Sequence, residues 1–272
     1  RVGHFDIFDK FFLSITIFGE FWLPTLICAV TYWCIDFRAG VYLLSLEGFN
    51  SLITHFFKML ACVYRPWVLS DTIQPSALAI PYAKGYSFPS GHTMMATNLF
   101  LAISIYVRNI QYISIGLVGV FIVALSRVGL GVHFPTDTIA GFIIALAIIL
   151  ILSRIYDKIE NRAYLYLTIV ALSLVGVLFC PEISYIKYAA LALGISLGFL
   201  VEEKYVNFEN PKSRRDAIVR IVGALILFLL LFVLIPKFAS NTDLVKCIVH
   251  SLCFFIMLAI YPLAFKKIDR DG

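Results

Sequence analysis

Residues 126–153, SRVGLGVHFPTDTIAGFIIALAIILILS, run from a short polar loop into an apolar stretch with no charge between Asp137 and Arg154. The apolar part, 135–153, is long enough to cross a bilayer as a helix, since about 1.5 Å of rise per residue must cover about 30 Å of hydrocarbon. The loop before it carries Arg127, His133 and Asp137. One segment therefore raises two questions, how many such spans the chain has and what chemistry sits at their edge.

Comparable runs recur at 110–126, 164–180, 185–201, 217–236 and 245–265, and less uniform ones at 18–36, 41–63 and 91–107. Over 272 residues the chain is 61% hydrophobic and 14% charged, with a mean hydropathy of +0.91. Soluble domains lie near 45–50% and about 25%, so a soluble globular class is excluded. The pattern predicts an all-α fold, a polytopic transmembrane helical bundle of about nine spans (six at the least), whose core carries the site. One integral domain over 1–272 is expected, with a catalytic core at 40–155 and accessory transmembrane segments at 160–272. No stretch reads as a cleavable signal, so the first apolar segment is expected to be retained. Upstream, residues 4–17 put Phe8, Phe11, Phe12 and Ile15 on one helical face and Asp6, Asp9 and Lys10 on the other, which suits a helix lying in the interface. Trp22, Tyr32 and Trp33 are expected towards the two interfaces of the first span. The six cysteines show no metal-ligand spacing, and most lie in apolar spans as packing residues.

The net charge of +5 is spread over loops, which speaks for topology rather than a nucleic-acid partner. With alternating spans, one side collects thirteen Lys and Arg and the other six, once Lys58, Arg65 and Arg127 are set aside. Positive residues accumulate in the cytoplasm. The C-terminus is thereby assigned to the cytoplasm, and the polar loops to the extracytoplasmic face of a cell (inner or plasma) membrane.

The second span is unusual, because Glu47, Ser51, Thr54 and Lys58 fall on one helical face and Arg65 continues the line. Charges in lipid are costly, so this stripe faces the bundle interior or water. For Glu47, Ser51 and Thr54, interhelical hydrogen bonding is the alternative reading. Lys58 and Arg65 belong with two further segments on the same side, PSGH at 89–92 and SRVGLGVHFPTD at 126–137. Together the three supply the cations Lys58, Arg65 and Arg127, a helix start with Ser90 and Gly91, and two histidines with a carboxylate. Guanidinium groups match phosphate oxygens in pairs, lysine adds a point charge, and a helix N-terminus offers unpaired amides. Asp137, one turn from His133, can hold one ring nitrogen and leave the other as a lone pair aimed at phosphorus. His92 can then protonate the leaving oxygen. With so many cationic donors the transferred charge needs no metal, and no cofactor is expected.

At this point the chain resembles the type 2 phosphatidic acid phosphatase superfamily. Its three signatures stand here without departure, as Lys58 with Arg65 and Pro66, then Pro89 to His92, then Ser126, Arg127, His133 and Asp137. The nine-span layout is also similar to glucose-6-phosphatase and the sphingoid-phosphate phosphatases. The resemblance implies that His133 forms a phosphohistidine, that Asp137 orients it, and that His92 acts first as acid and then as the base that activates water. Lys58, Arg65, Ser90, Gly91 and Arg127 would bind the phosphoryl group. Such enzymes are similar in mechanism to vanadium haloperoxidases, so vanadate should inhibit and a divalent metal should be dispensable.

Plainer readings hold elsewhere. His4, His55 and His250 lack motif partners and read as structural. Lys84 reads as a solvated charge, with assistance to a second phosphate as the alternative. Trp67 and Tyr86 are interfacial anchors or line the way in for a lipid tail. The function expected is hydrolysis of a phosphate monoester or pyrophosphate on a lipid, in the class of phosphatidic acid, phosphatidylglycerol phosphate, an isoprenyl diphosphate or a sphingoid phosphate. One alternative is a phosphotransferase in which an alcohol intercepts the same phosphohistidine. Another is a polytopic transporter or scaffold that binds phosphate without turnover, although it has no need of a His133 and Asp137 pair.

Overall fold

The computed structural model describes residues 7–235 and 242–265. His4, Asp6, Lys237, Lys266, Lys267 and Arg270 lie outside the described residues. Among the described residues the secondary structure is helical, with no strand. The long elements are α1 (Ile7–Gly19), α2 (Trp22–Ile35), α3 (Phe37–Ala61), α4 (Gly91–Val107), α5 (Ile110–Gly129), α6 (Pro135–Tyr156), α7 (Ala163–Phe179), α8 (Ile183–Val206), α9 (Arg214–Phe228, continuing through Leu229–Leu234) and α10 (Asp243–Phe265). Of these, α5, α6, α8 and α10 are each long and apolar enough to cross a membrane, and α1 with α2 passes the same test as a pair bent by 44°. This is a multi-pass helical membrane protein.

The first span begins differently from the sequence expectation. Helix continues through Ile17–Gly19, where an interface helix was expected to have ended, and the break falls at Glu20 and Phe21. Pro24 accounts for its place. Its ring has no N–H for the Glu20 carbonyl and clashes with it, so helix cannot run through residue 20, and Thr25 N–H bonding the Phe21 carbonyl at 3.2 Å opens the new helix.

The chain forms two compact units, one of residues 1–26 and 53–157, the other of residues 27–52 and 158–272. In the first, α4 packs on α5 and α6, and α1 lies against α5. The start of α4 comes close to α6 because residue 141 is glycine. A Cβ there would stand 2.7 Å from the Ser90 carbonyl oxygen. In the second unit α8 packs on α7 and α10. Here the expectation for Tyr32 and Trp33 is corrected, since both are fully buried. Tyr32 stacks edge-on against Phe199 and Phe208, and its hydroxyl donates to the Leu258 carbonyl at 3.2 Å. Edge-on ring pairs of this kind add about 0.5–1.5 kcal/mol each beyond the burial of their area. Glu47, Ser51, Thr54 and Lys58 are all buried, as the cost of charge in lipid requires.

Candidate active site

Every side chain singled out by the three motifs lies in the first unit. His133 sits in the loop between α5 and α6 and is only 3% exposed. Pro135 opens α6 with a preset φ, which puts Asp137 in the first turn, one turn beyond His133. The Asp137 Oδ2 accepts from His133 Nδ1 at 3.2 Å and from the Phe134 N–H at 2.9 Å. It also accepts a very short bond from the Ser87 hydroxyl. On the far side of the ring, Arg65 Nη1 lies 2.9 Å from His133 Nε2. A guanidinium has only donors, so Nε2 must present its lone pair and the ring proton must be on Nδ1. Burial pushes His133 well below the ordinary histidine pKa, and the charges of Arg65, Lys58, Arg127 and His92 push the same way. The imidazole is therefore neutral, with its lone pair on Nε2 accepting from Arg65.

Around it the cations differ in how far they are committed. Arg65 donates to the carbonyls of Gly85 (3.1 Å), Lys84 (2.9 Å) and Val132 (2.9 Å) as well as to His133. It ties Lys84 and Gly85 to Val132 rather than standing as an open fork. Burial lowers its pKa to about 10, which leaves it cationic at neutral pH. Lys58 lies in the last turn of α3 and donates to the Tyr86 carbonyl at 2.6 Å and more weakly to that of Ser87 at 3.4 Å. Arg127 is fully buried in the last turn of α5. Its Nη1 donates to the Thr16 hydroxyl at 2.7 Å, while its Nε and Nη2 have no partner among the described residues. Unsatisfied buried donors are costly, and Nε with Nη2 is the donor pair by which a guanidinium binds an oxyanion in bidentate fashion. None of the three cations is ion-paired to a carboxylate among the described residues.

The second histidine has its own frame. Ser90 caps α4, its hydroxyl oxygen accepting from Thr93 N–H at 3.4 Å and from the Thr93 hydroxyl at 3.1 Å. The amides of Gly91 and His92 then open the helix with no intrahelical carbonyl to bond. Ser90 N–H donates to the Asp137 carbonyl at 2.9 Å, which ties the second motif to the third through the backbone. His92 Nε2 lies 2.9 Å from Glu20 Oε1, at the break between α1 and α2. Of the remaining readings, Lys84 is exposed, Trp67 lies under the Arg65 guanidinium at 5.9 Å, and Tyr86 meets Tyr64 edge-on at 5.8 Å.

Comparison with known proteins assigns the family. Residues 39–161 match the PAP2 superfamily, and residues 186–270 match the transmembrane extension of PAP2 superfamily phosphatases. The chain belongs to the PAP2 superfamily. It is 29% identical over 114 residues to phosphatidylglycerophosphatase B of Bacillus subtilis, covering 38% of this chain and 55% of that protein. It is 34% identical over 127 residues to lipid A 4'-phosphatase of Porphyromonas gingivalis (46% and 54%). Over 72 residues it is 32% identical to undecaprenyl-diphosphatase of Sulfolobus acidocaldarius (26% and 34%). The chain thus spans about half or less of the length of these PAP2 relatives. No solved structure gives a significant match.

Three residues that contact the motifs were not singled out from sequence. Ser87, on Asp137, is an ordinary loop serine by type and carries no spacing signal. Thr16, on Arg127, is equally plain. Glu20 did carry a signal, being a carboxylate set inside an apolar run. Thr16 and Glu20 both lie upstream of the segment that matches the PAP2 domain.

Proposed function

We propose that this PAP2 chain is a membrane-embedded phosphatase that releases phosphate from a lipid phosphate monoester or diphosphate through a phosphohistidine on His133. The observation that carries the reading is three buried cations without carboxylate partners among the described residues, gathered around a neutral histidine whose lone pair is fixed on Nε2. Such a charge excess calls for an anion. The relatives named above, all lipid phosphatases by name, support the choice of a lipid-linked phosphate.

In the first step the Nε2 lone pair attacks phosphorus. The P–N bond forms, the ester P–O bond breaks, and His92 gives its proton to the leaving oxygen. Arg65 gives up its bond to Nε2 as the phosphoryl group arrives and turns that donor to an equatorial oxygen. Arg127 Nε and Nη2, Lys58, and the amides at Gly91 take the others. As Nε2 bonds phosphorus the ring becomes cationic, and the Asp137 carboxylate on Nδ1–H balances it. Water then attacks, His92 takes its proton, the P–N bond breaks and phosphate leaves. The donor set of cations and amides is suited to an anion rather than a metal ion, so the reaction is assigned as metal-independent. The distribution of basic residues supports an extracytoplasmic site in a cell membrane.

The test is phosphate release by the purified full chain over a panel of lipid phosphates, isoprenyl diphosphates and glucose 6-phosphate, in EDTA. The expected result is turnover of at least one lipid substrate that is abolished in His133→Ala. Undiminished activity of that variant, or loss of wild-type activity in EDTA, overturns the mechanism.

A further inference from the structure

We propose that Glu20 is the positioning residue of His92, so that the site contains a second histidine–carboxylate pair beside His133 and Asp137. This rests on the phosphatase reading above and adds a residue to it from outside the segment that matches the PAP2 domain.

The pair is built rather than incidental. The break that carries Glu20 is pressed against the start of α4. A Cβ on Gly19 would lie 2.7 Å from the His92 carbonyl oxygen and 2.9 Å from the His92 Cβ, so only glycine allows this approach. Glu20 itself takes an extended backbone conformation (φ −70°, ψ 152°), and its Oε1 reaches His92 Nε2 at 2.9 Å. The two side chains are 26% and 13% exposed, shielded enough for the contact to hold the ring and open enough for a proton to be exchanged.

The chemistry requires such a partner. His92 must carry a proton for the leaving oxygen, yet the other charges that bear on it, Arg127 from α5 and Arg65 from the loop after α3, are both cations. Glu20 supplies the counter-charge, 2.9 Å from the ring. An ionised carboxylate only accepts, so it accepts from Nε2–H, and the proton exchanged with substrate and water is assigned to Nδ1, which makes no hydrogen bond among the described residues. Glu20 thus does for the acid–base histidine what Asp137 does for the nucleophile, with the roles of the two ring nitrogens reversed.

Leaving-group dependence tests this. A lipid alkoxide needs a proton to depart, whereas p-nitrophenolate does not. The full chain in detergent micelles is assayed as wild type, Glu20→Gln and Glu20→Asp, with melting curves to establish that each is folded. The expected result is that Glu20→Gln lowers kcat/KM about 10²-fold on the lipid phosphate, in the range of general-acid contributions, and less than about fivefold on p-nitrophenyl phosphate. Glu20→Asp should recover part of the loss on the lipid. An equal fall on both esters makes Glu20 merely structural and overturns the proposal, as does a Glu20→Gln variant indistinguishable from wild type. If the wild type hydrolyses neither ester, the phosphatase reading itself falls and takes this proposal with it. That outcome is distinct, because it appears before any variant is compared.

Discussion

Replacing Asp137 by Asn changes one charge and almost no volume, and the structure sets the size of the effect. Three donors converge on Oδ2, from Ser87, the Phe134 N–H and His133 Nδ1. The first two are made equally before and during reaction, so they bear on stability. In the proposed mechanism the third strengthens when Nε2 bonds phosphorus and the ring becomes cationic. At 3.2 Å, and with an effective dielectric near 20, the attraction between that cation and a carboxylate is about 5 kcal/mol. A neutral amide oxygen in the same place keeps a hydrogen bond worth about 1 kcal/mol. The remaining 4 kcal/mol or so, at about 1.4 kcal/mol per tenfold, predicts a kcat about 10³-fold lower in Asp137→Asn. The assay is phosphate release at saturating lipid substrate, with a melting curve in the same detergent to establish that the variant is folded. A folded Asp137→Asn whose kcat stays within about threefold of wild type would refute the assignment of His133 as nucleophile with Asp137 as its orienting partner.

Other predictions follow from the same site. Arg127→Lys keeps the charge but removes the paired Nε and Nη2 donors. At about 1.5–3 kcal/mol for hydrogen bonds to charged groups, inhibition by inorganic phosphate should weaken about 10–100-fold, and an unchanged inhibition constant would remove Arg127 from the phosphate site. The pH dependence of stability has a definite sign. Folded His133 is held well below its ordinary pKa, whereas the unfolded chain protonates it below about pH 6.5. The unfolded state then binds more protons, so stability falls as pH drops through that value. Melting temperatures measured from pH 7 to 5 should fall less steeply in His133→Asn, and identical slopes would contradict the burial of a neutral imidazole.

The legible part of this protein is the part carried by short range. The spans could be read from runs of apolar residues between charges. His133 and Asp137, four residues apart across the start of a helix opened by Pro135, could be read as a hydrogen-bonded pair because so short a separation keeps the two side chains within reach. The break at Glu20 was as readable in principle, since Pro24 forbids helix through residue 20, yet the apolar run on both sides concealed it. Tyr32 and Trp33 were misplaced for a related reason. Aromatic residues near the end of a span suit an interface or a packed core equally well, and hydropathy does not distinguish the two.

By itself the sequence determined the helical membrane class, the three motifs with their order and spacing, and the His133–Asp137 pair. Only the tertiary structure decided how the donors are shared. It commits Arg65 to three loop carbonyls and to His133 Nε2, gives Arg127 Nη1 to Thr16 while its Nε and Nη2 have no partner among the described residues, and brings Glu20 to His92 across 72 residues of chain. A side chain's hydrogen bonds depend on which backbones approach within about 3 Å, and those approaches are set here by close packing at Gly19 and Gly141 rather than by any local pattern.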